Sequence, residues 1–222
     1  MSKSFWIRGL IVGIALLGME PAQAQGRGDA DQSKVYIGGA IGISGYNTTF
    51  GRTNQVITST GATTFSSTAN SSDTMWTGYI GYRVSQYFSV EGGYWKFGAL
   101  NLSTSISAPV TASLKREYNS DGFGGAAVLW VPVATDWAGL LKAGVLRTEA
   151  KASAADPGAG LTALPAESVY TTNVLWGAGV EYRLAPAVAA RLSYEFVRKV
   201  GEEAKFGTSD IHVWSIGANY RF

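Results

Sequence analysis

The sequence has no cysteine, only one histidine and only six prolines among its 222 residues. The lack of cysteine excludes a disulfide scaffold and a thiolate metal site, and a single histidine provides no histidine cluster. The net charge of +2 is small, and no basic stretch carries interleaved aromatic residues. We therefore expect no metal, no cofactor and no nucleic acid partner.

Long hydrophobic runs are also scarce. Beyond the first 24 residues, no apolar run reaches the roughly 20 residues that a membrane-spanning helix needs. The chain contains instead 28 glycines, 7 tryptophans and 11 tyrosines. This composition, without helical hydrophobic stretches, favours a protein built from alternating β-strands.

The first residues have the pattern of an export signal. Lys3 and Arg8 form a positively charged region, and a short apolar run follows from Gly9 to Met19. Ala22-Gln23-Ala24 then provides a small-residue cleavage site. A retained anchor helix is the alternative, which the shortness of the run and the cleavage pattern disfavour. We predict a signal peptide at residues 1–24.

The last twelve residues alternate between two kinds of side chain. One face carries His212, Trp214, Ile216, Ala218, Tyr220 and Phe222, and the other carries Val213, Ser215, Gly217, Asn219 and Arg221. A period of two indicates a strand whose two faces meet different surroundings. An apolar, aromatic-bounded face opposite a small and polar one is typical of a barrel strand between lipid and a polar lumen.

The same pattern predicts eight strands along the chain. They are Val35–Phe50, Thr74–Val84, Tyr87–Leu100, Ser113–Trp130, Trp137–Thr148, Val169–Leu184, Val188–Val200 and Asp210–Phe222. Short links at 85–86, 131–136 and 185–187 alternate with long links at 51–73, 101–112, 149–168 and 201–209. The long links are low in hydrophobic residues, with 57–73 rich in Ser, Thr, Ala, Gly and Asn and 149–168 rich in Ala, Gly and Pro, so we expect such segments to be mobile. This alternation predicts an all-β fold, an eight-stranded antiparallel up-and-down transmembrane β-barrel, in preference to a soluble sandwich. We therefore predict a periplasmic tail at residues 25–34 and a β-barrel domain at residues 35–222.

Several segments carry a family resemblance. Gly78-Tyr-Ile-Gly-Tyr-Arg-Val84 with Phe88-Ser-Val-Glu-Gly-Gly-Tyr94, Gly177-Ala-Gly-Val-Glu-Tyr-Arg-Leu-Ala-Pro186 with Ala190-Arg-Leu-Ser-Tyr-Glu-Phe196, and Ser215-Ile-Gly-Ala-Asn-Tyr-Arg-Phe222 resemble the OmpA-like transmembrane domain. The resemblance covers the predicted mature chain and implies a small barrel of the outer membrane. Many family members carry a C-terminal peptidoglycan-binding domain, and we expect a barrel without that domain here.

Strand alternation also predicts the content of the lumen. Five charged residues fall on inward faces: Glu91, Lys142, Glu181, Arg191 and Glu195. Opposite charges in a narrow interior should pair, because burial of an unpaired charge is costly. Since a small barrel is just wide enough for side chains to fill it, we expect a plugged lumen.

The resemblance suggests an alternative for this network. In the family, glutamates and an arginine at positions matching Glu91, Glu181 and Arg191 are proposed to gate a narrow channel by switching ion pairs. A family lysine on the fourth strand is replaced here, with Val128 near the matching position. Lys142 on the next strand is a candidate substitute for it.

Two further sets of residues belong to the membrane surface. Candidate lipopolysaccharide contacts near the outer strand ends are Lys96, Lys115, Arg116, Arg147, Lys151, Arg198 and Lys199. Ordinary snorkelling of long cationic side chains at the interface explains them equally well. Tyr220 and Phe222 form a candidate C-terminal signal for the barrel-assembly machinery.

Catalysis is the rival class of function. It needs a nucleophile beside a positioned base, and alternation puts His212 and Ser215 on opposite faces. We therefore predict no catalytic residue and no enzyme. The predicted protein is a monomer in the outer membrane of a Gram-negative bacterium, contacting lipids and lipopolysaccharide. The predicted role is structural and supports envelope integrity, with a narrow, weakly conducting porin-like channel as the alternative to the plugged lumen. The alternative class of function is an adhesin whose long Ser/Thr-rich loops bind host or phage ligands.

Overall fold

Extended backbone dominates the residues that the computed structural model describes, which are 34–48, 57–158, 160–202 and 207–222. The strands are β1 (Val35–Thr48), β2 (Thr64–Asn70), β3 (Ser72–Arg83), β4 (Phe88–Ala108), β5 (Ala112–Pro132), β6 (Trp137–Ala152), β7 (Glu167–Ala185), β8 (Val188–Glu202) and β9 (Gly207–Arg221). No helix in these ranges is both long and apolar enough to cross a membrane. The predicted signal peptide and residues 25–33 of the predicted tail lie outside the described residues.

Eight of the strands close into a barrel, and every neighbouring pair is antiparallel. The order around the barrel is β1, β3, β4, β5, β6, β7, β8 and β9, and β9 pairs back with β1, where Trp214 lies opposite Ile43. Closure leaves no free strand edge around the ring, so the backbone hydrogen bonds are satisfied within the bilayer. The predicted fold class is confirmed.

The links between strands differ at the two ends of the barrel. At one end, tight turns join β3 to β4, β5 to β6 and β7 to β8; Ser85 N–H donates to the carbonyl of Phe88, for example. At the other end, residues 49–71 separate β1 from β3 and residues 153–166 separate β6 from β7, while β4 and β5 continue as one long hairpin up to Ile106↔Ala112. Short turns mark the periplasmic end of an outer-membrane barrel, and long connections mark the outer end.

Side chains alternate between the two faces of the wall as predicted for β9. Trp214 and Ile216 are exposed on the outer face, whereas Val213 and Ser215 are buried inside. Aromatic pairs bound the apolar outer face at both ends. Trp137 contacts Tyr182 near the periplasmic end, with ring centroids 4.7 Å apart, and Tyr194 contacts Trp214 near the outer end at 5.0 Å.

Two inward-facing glycines make room for large rings in the lumen. A Cβ at Gly38 would overlap the ring of Tyr79 and the amide of Asn219, and a Cβ at Gly81 would overlap the ring of Tyr36. Tyr36 and Tyr79 are both buried in the interior. The glycines therefore allow bulky polar rings to fill a narrow barrel.

The outer end carries structure that the sequence analysis did not predict. β2 pairs with β4 from Thr64↔Ala108 to Asn70↔Asn101, and β4 continues to pair with β5 up to Ile106↔Ala112. We call β2 with residues 99–108 of β4, residues 112–120 of β5 and the segments 57–63, 153–158 and 160–165 the outer extension. The expectation of unstructured loops is wrong for residues 64–70 and 101–108.

Packing explains why the outer extension forms. One face of its sheet covers a separate cluster of buried apolar residues: Ile57, Ala62, Leu102, Ile106, Leu114, Ala155 and Leu164. The opposite face is exposed and polar, as at Ser103 and Ser105. Alternation continues outside the membrane, and burial of one apolar face stabilises the extra strand.

The interior of the barrel as the candidate functional site

Lys142 on β6 lies at the centre of a buried ion-pair cluster. Its Nζ is 2.6 Å from Glu195 Oε1 on β8 and 3.0 Å from Glu91 Oε2 on β4. The indole N–H of Trp95 donates to the other oxygen of Glu195 at 2.9 Å. All four residues are buried. One ammonium group thus holds two carboxylates that would otherwise repel each other inside the barrel.

Arg191 on β8 connects this cluster to the periplasmic end. Its Nη1 donates to Glu91 Oε1 at 2.8 Å, and its Nη2 donates to Glu181 Oε2 at 3.2 Å. Glu181 also accepts hydrogen bonds from Asn219 Nδ2 at 2.6 Å and from Arg221 Nη2 at 2.9 Å. The five charged residues that alternation assigned to the lumen therefore lie in one continuous network.

Neutral side chains complete the hydrogen bonding of this network. The Tyr36 hydroxyl donates to Glu91 Oε1 at 2.8 Å and shares a hydrogen bond with Ser89 Oγ, which also accepts from the Trp130 indole N–H at 2.8 Å. Sequence reasoning did not single out Tyr36, Ser89, Trp95, Trp130 or Arg83; it placed Arg221 on the polar face of the last strand but not in the charged network. Their inward positions follow from the same period of two, so the signal was present in each strand.

Apolar side chains fill the lumen on both sides of the charges. Toward the outer end lie Met75, Trp95, Phe97, Ala126, Leu146, Ala150, Val169, Leu175, Val197, Val200, Ile211 and Val213. Toward the periplasmic end lie Tyr36, Tyr79, Val128, Trp130 and Leu140. Most of these side chains are almost completely shielded from solvent. The interior is therefore packed by side chains along its length, as expected for a barrel of this size.

Val128 and Lys142 occupy directly paired positions on β5 and β6. Both face the interior and both are buried. The ammonium group thus enters the lumen from the strand next to that of Val128. Its partners there are Glu91 and Glu195, as described above.

The candidate lipopolysaccharide contacts fall into two groups. Lys96, Lys115, Arg147, Arg198 and Lys199 are exposed, and Lys151 is half-exposed with its Nζ 2.9 Å from Glu149 Oε2. A bulge between Val197 and Val200 interrupts the pairing of β8 with β9, and both Arg198 and Lys199 are exposed there.

Arg116 does not belong to this surface, and its assignment as a lipopolysaccharide contact is wrong. Its side chain is buried in the outer extension, where Nε donates to the carbonyl of Ser153 at 3.0 Å and Nη2 to that of Pro165 at 2.9 Å. These hydrogen bonds tie β5 to the segment that follows β6. A buried, satisfied guanidinium cannot reach a lipid phosphate.

The C-terminal aromatic residues and the histidine lie on the outer face. Tyr220 and Phe222 are exposed and pack edge to face, with ring centroids 5.3 Å apart. His212 Nδ1 shares a 2.6 Å hydrogen bond with the Tyr194 hydroxyl, while Ser215 is buried on the inner side. Within the ranges that the structure describes, no three His, Asp or Glu side chains come close enough to hold a metal ion.

A closed antiparallel barrel with apolar side chains outside and charged side chains inside is the architecture of an outer-membrane β-barrel protein. The family model of the OmpA-like transmembrane domain matches residues 30–222. The chain therefore belongs to this family, as its sequence resemblance predicted.

Two curated relatives are proteins named outer membrane protein A. The one from Serratia marcescens is 31% identical over 149 residues, which cover 65% of this chain and 38% of that protein. The one from Shigella dysenteriae is 28% identical over 147 residues, covering 64% and 38%. The alignments thus span well under half of these relatives. Family membership and these relatives place the protein in the outer membrane of Gram-negative bacteria.

Among solved structures, Neisserial surface protein A is similar in fold. Its TM-score is 0.51 at 14% sequence identity, and the match covers 86% of this chain and 98% of that chain. At this level of identity the likeness concerns the fold alone.

Proposed function

We propose that the protein is a structural component of the outer membrane whose barrel is closed to ions and supports envelope integrity. The observation that carries this proposal is the filling of the lumen on both sides of the ion-pair cluster. An ion entering from the outer end meets Trp95 and Phe97, which are buried across the interior. An ion entering from the other end meets Trp130 and Leu140.

The paired charges support a structural role more than a gate. Glu91 contacts both Lys142 and Arg191, and Glu195 contacts both Lys142 and Trp95. Switching one ion pair would break contacts with several partners at once inside a low-dielectric interior. Removing one partner of a buried pair typically costs about 3–5 kcal/mol, which disfavours a switched state.

Single-channel recording in planar bilayers tests the closed lumen. We expect no openings from the wild-type protein, from Glu181→Gln or from the control Glu149→Gln, which lies outside the lumen and pairs with Lys151, with folding verified by heat-modifiable gel migration. Openings are expected only when Trp95 and Phe97 are both replaced by alanine. Discrete wild-type openings that change in Glu181→Gln but not in Glu149→Gln would contradict the proposal and favour a gated pore.

The envelope role has its own test in cells. A strain that lacks the protein should leak periplasmic enzyme, and the wild-type chain should restore retention. The channel-opened Trp95→Ala, Phe97→Ala variant should restore it less well at equal abundance. Equal retention with and without the protein would remove the envelope role.

The outer extension favours adhesion as a second candidate function. The exposed face of its three strands presents hydroxyl groups in register, since Ser66 lies opposite Ser105 and Ser105 lies opposite Ser113. An ordered, polar sheet beyond the membrane is a suitable surface for host or phage ligands. Replacement of these three serines by lysine should abolish adhesion while leaving envelope retention intact, and replacement by threonine is the matched control. Adhesion that survives the lysine variant would exclude this face.

Further parts of the proposal concern export, lipid contact and assembly. A cleaved signal at residues 1–24 would export the chain, and Tyr220 with Phe222 would be read by the barrel-assembly machinery. The exposed cations Lys96, Lys115, Arg147, Arg198 and Lys199 are positioned for lipopolysaccharide phosphates, because charge-assisted hydrogen bonds to phosphate are strong. The closed barrel leaves no strand edge that requires a second subunit, which supports a monomer.

A further inference from the structure

Arg83, the last residue of β3, is a cation with unusually few partners at the periplasmic mouth of the barrel. Its guanidinium lies over the Trp130 ring, with Cζ 4.4 Å from the centroid. Its contact with a carboxylate is long, since Nη2 is 3.8 Å from Glu181 Oε1. Within the described part of the chain, its buried Nε finds no hydrogen-bond acceptor.

Glu181 cannot satisfy Arg83, because its carboxylate is already occupied. Oε1 accepts from Arg221 at 2.9 Å, and Oε2 accepts from Arg191 and from Asn219. The ion pairs of the described interior join four cations, Arg83, Lys142, Arg191 and Arg221, to only three carboxylates, Glu91, Glu181 and Glu195. One positive charge at the mouth is therefore left over.

A desolvated charge without a full set of acceptors is costly, and a buried unsatisfied donor in a native structure calls for an explanation. Arg83 and Arg221 approach the same oxygen of Glu181, so an anion at the mouth can contact both guanidinium groups. Their side chains are 23% and 14% exposed, which leaves them accessible from the periplasm. The planar N–H fork of arginine matches the oxygens of phosphate.

We propose that the periplasmic mouth of the barrel is an oxyanion site in which Arg83, backed by Trp130 and assisted by Arg221, binds a phosphate group. The phosphate can come from a free periplasmic phosphate or from the headgroup of an anionic phospholipid in the inner leaflet. This inference does not depend on the proposed envelope role, because a closed lumen and an open channel both leave the mouth accessible.

The test follows the Nε–H resonance of Arg83 and the indole N–H resonance of Trp130 by NMR in the folded, full-length protein. Sodium phosphate is titrated against sodium chloride at equal ionic strength in zwitterionic detergent. We expect saturable shifts of both resonances with phosphate alone. Binding should weaken about tenfold or more in Arg83→Gln and less in Arg83→Lys, which keeps the charge but loses the fork.

Lys34→Gln is the matched control, because Lys34 is an exposed cation at the same end of the barrel. It should change the affinity by less than about twofold, since exposed charges contribute little. Measurements in nanodiscs of phosphatidylglycerol and of phosphatidylcholine distinguish free phosphate from an anionic lipid headgroup as the source of the bound group. Shifts in phosphatidylglycerol without shifts in free phosphate would identify a lipid headgroup as the source.

Two kinds of result would overturn the site. One is the absence of shifts at Arg83 in free phosphate and in phosphatidylglycerol alike. The other is an equal loss of affinity in Arg83→Gln and Lys34→Gln, which would reduce the effect to diffuse attraction by a positive surface. An absence of NMR shifts with free phosphate and with phosphatidylglycerol would leave the bilayer recordings and the cell-leakage results unaffected. Failure of this site and failure of the envelope role are therefore distinguishable.

Discussion

Among single residues, Lys142 has the most consequential position, because one ammonium group separates two buried carboxylates. Its contacts with Glu195 and Glu91 are 2.6 and 3.0 Å long, and all three side chains are shielded from water. In such a setting the attraction between charges offsets a large desolvation cost that all of them incur on folding. The loss of one member is therefore worse than the loss of a pair.

Lys142→Leu should destabilise the barrel by about 3–5 kcal/mol, because Glu195 and Glu91 would keep their buried charges without the lysine. The measurement is urea unfolding of the protein refolded into lipid vesicles. Lys96→Leu, at an exposed lysine on the outer face, is the control and should change the stability by less than about 0.5 kcal/mol.

A double variant separates charge pairing from packing at this position. Lys142→Leu combined with Glu195→Leu should recover part of the lost stability, because the remaining Glu91 still contacts Arg191. If the double variant is less stable than Lys142→Leu alone, packing rather than unpaired charge determines the effect, and the interpretation of Lys142 is wrong.

The side of the wall on which these residues lie could be predicted from the sequence, whereas their partners could not. A strand period of two is local, so Glu91 and Arg191 are assigned to the interior from their own strands. Their contact joins positions 100 residues apart and depends on the stagger of strands around the closed barrel. Arg83 was overlooked, and Arg221 was placed on the polar face of β9 without a partner, because the ends of strands are the least certain part of a periodic pattern.

Among the elements, β4 and β5 form one continuous antiparallel ladder that passes through two different environments. Their periplasmic halves lie in the barrel wall, and their outer halves form a sheet with β2 outside it. In the wall the apolar side chains of both strands face lipid or fill the lumen, whereas in the outer extension they face its own small core. Each half therefore depends on a different source of stability.

Leu114→Ala should loosen the outer extension and leave the barrel wall intact. Leu114 is almost fully buried in the outer cluster, and loss of its side chain should cost about 2–4 kcal/mol locally. Hydrogen exchange should accelerate in β2 and in residues 101–108 but not in β9. Ser113→Ala, at the exposed neighbour, is the control; faster exchange throughout β9 would show that the two regions unfold together.

Ile216→Arg and His212→Arg test how deeply two positions on the lipid-facing side of β9 lie in the bilayer. Ile216 lies on the outer face in the middle of the strand, where an arginine costs about 2–4 kcal/mol. His212→Arg on the same face, at the outer end, should cost at most about 1 kcal/mol. Equal costs in vesicle unfolding experiments would contradict the predicted position of β9 in the bilayer.

The elements of the wall were predictable, while β2 was not. In the wall, aromatic residues and alternating apolar residues mark each strand. The predicted strands agree with the barrel strands within a few residues except at the outer ends of β4 and β6. β2 consists mainly of Ser, Thr and Ala, with Phe65 as its one large apolar side chain. Its stability comes from pairing with β4 and from the cluster below it, and neither is visible in the segment itself.

At the scale of the whole molecule, the two ends of the barrel are chemically different. The periplasmic end has tight turns and the arginine-rich mouth, and the outer end carries a folded, hydroxyl-bearing sheet. The orientation follows from the rule that short turns face the periplasm. It determines which candidate surface meets the host and which meets the inner leaflet.

The lack of native cysteine makes this orientation directly measurable. Ser105→Cys on the outer extension should react with a membrane-impermeant maleimide on intact cells, because its side chain is exposed outside the bilayer. Ala134→Cys, in the exposed turn between β5 and β6, should react only after the outer membrane is permeabilised. Ser215→Cys, inside the wall, should react in neither condition because its side chain is buried. Labelling of Ala134→Cys but not of Ser105→Cys on intact cells would show that the barrel has the opposite orientation in the membrane. The arginine-rich mouth would then face the cell exterior and not the periplasm.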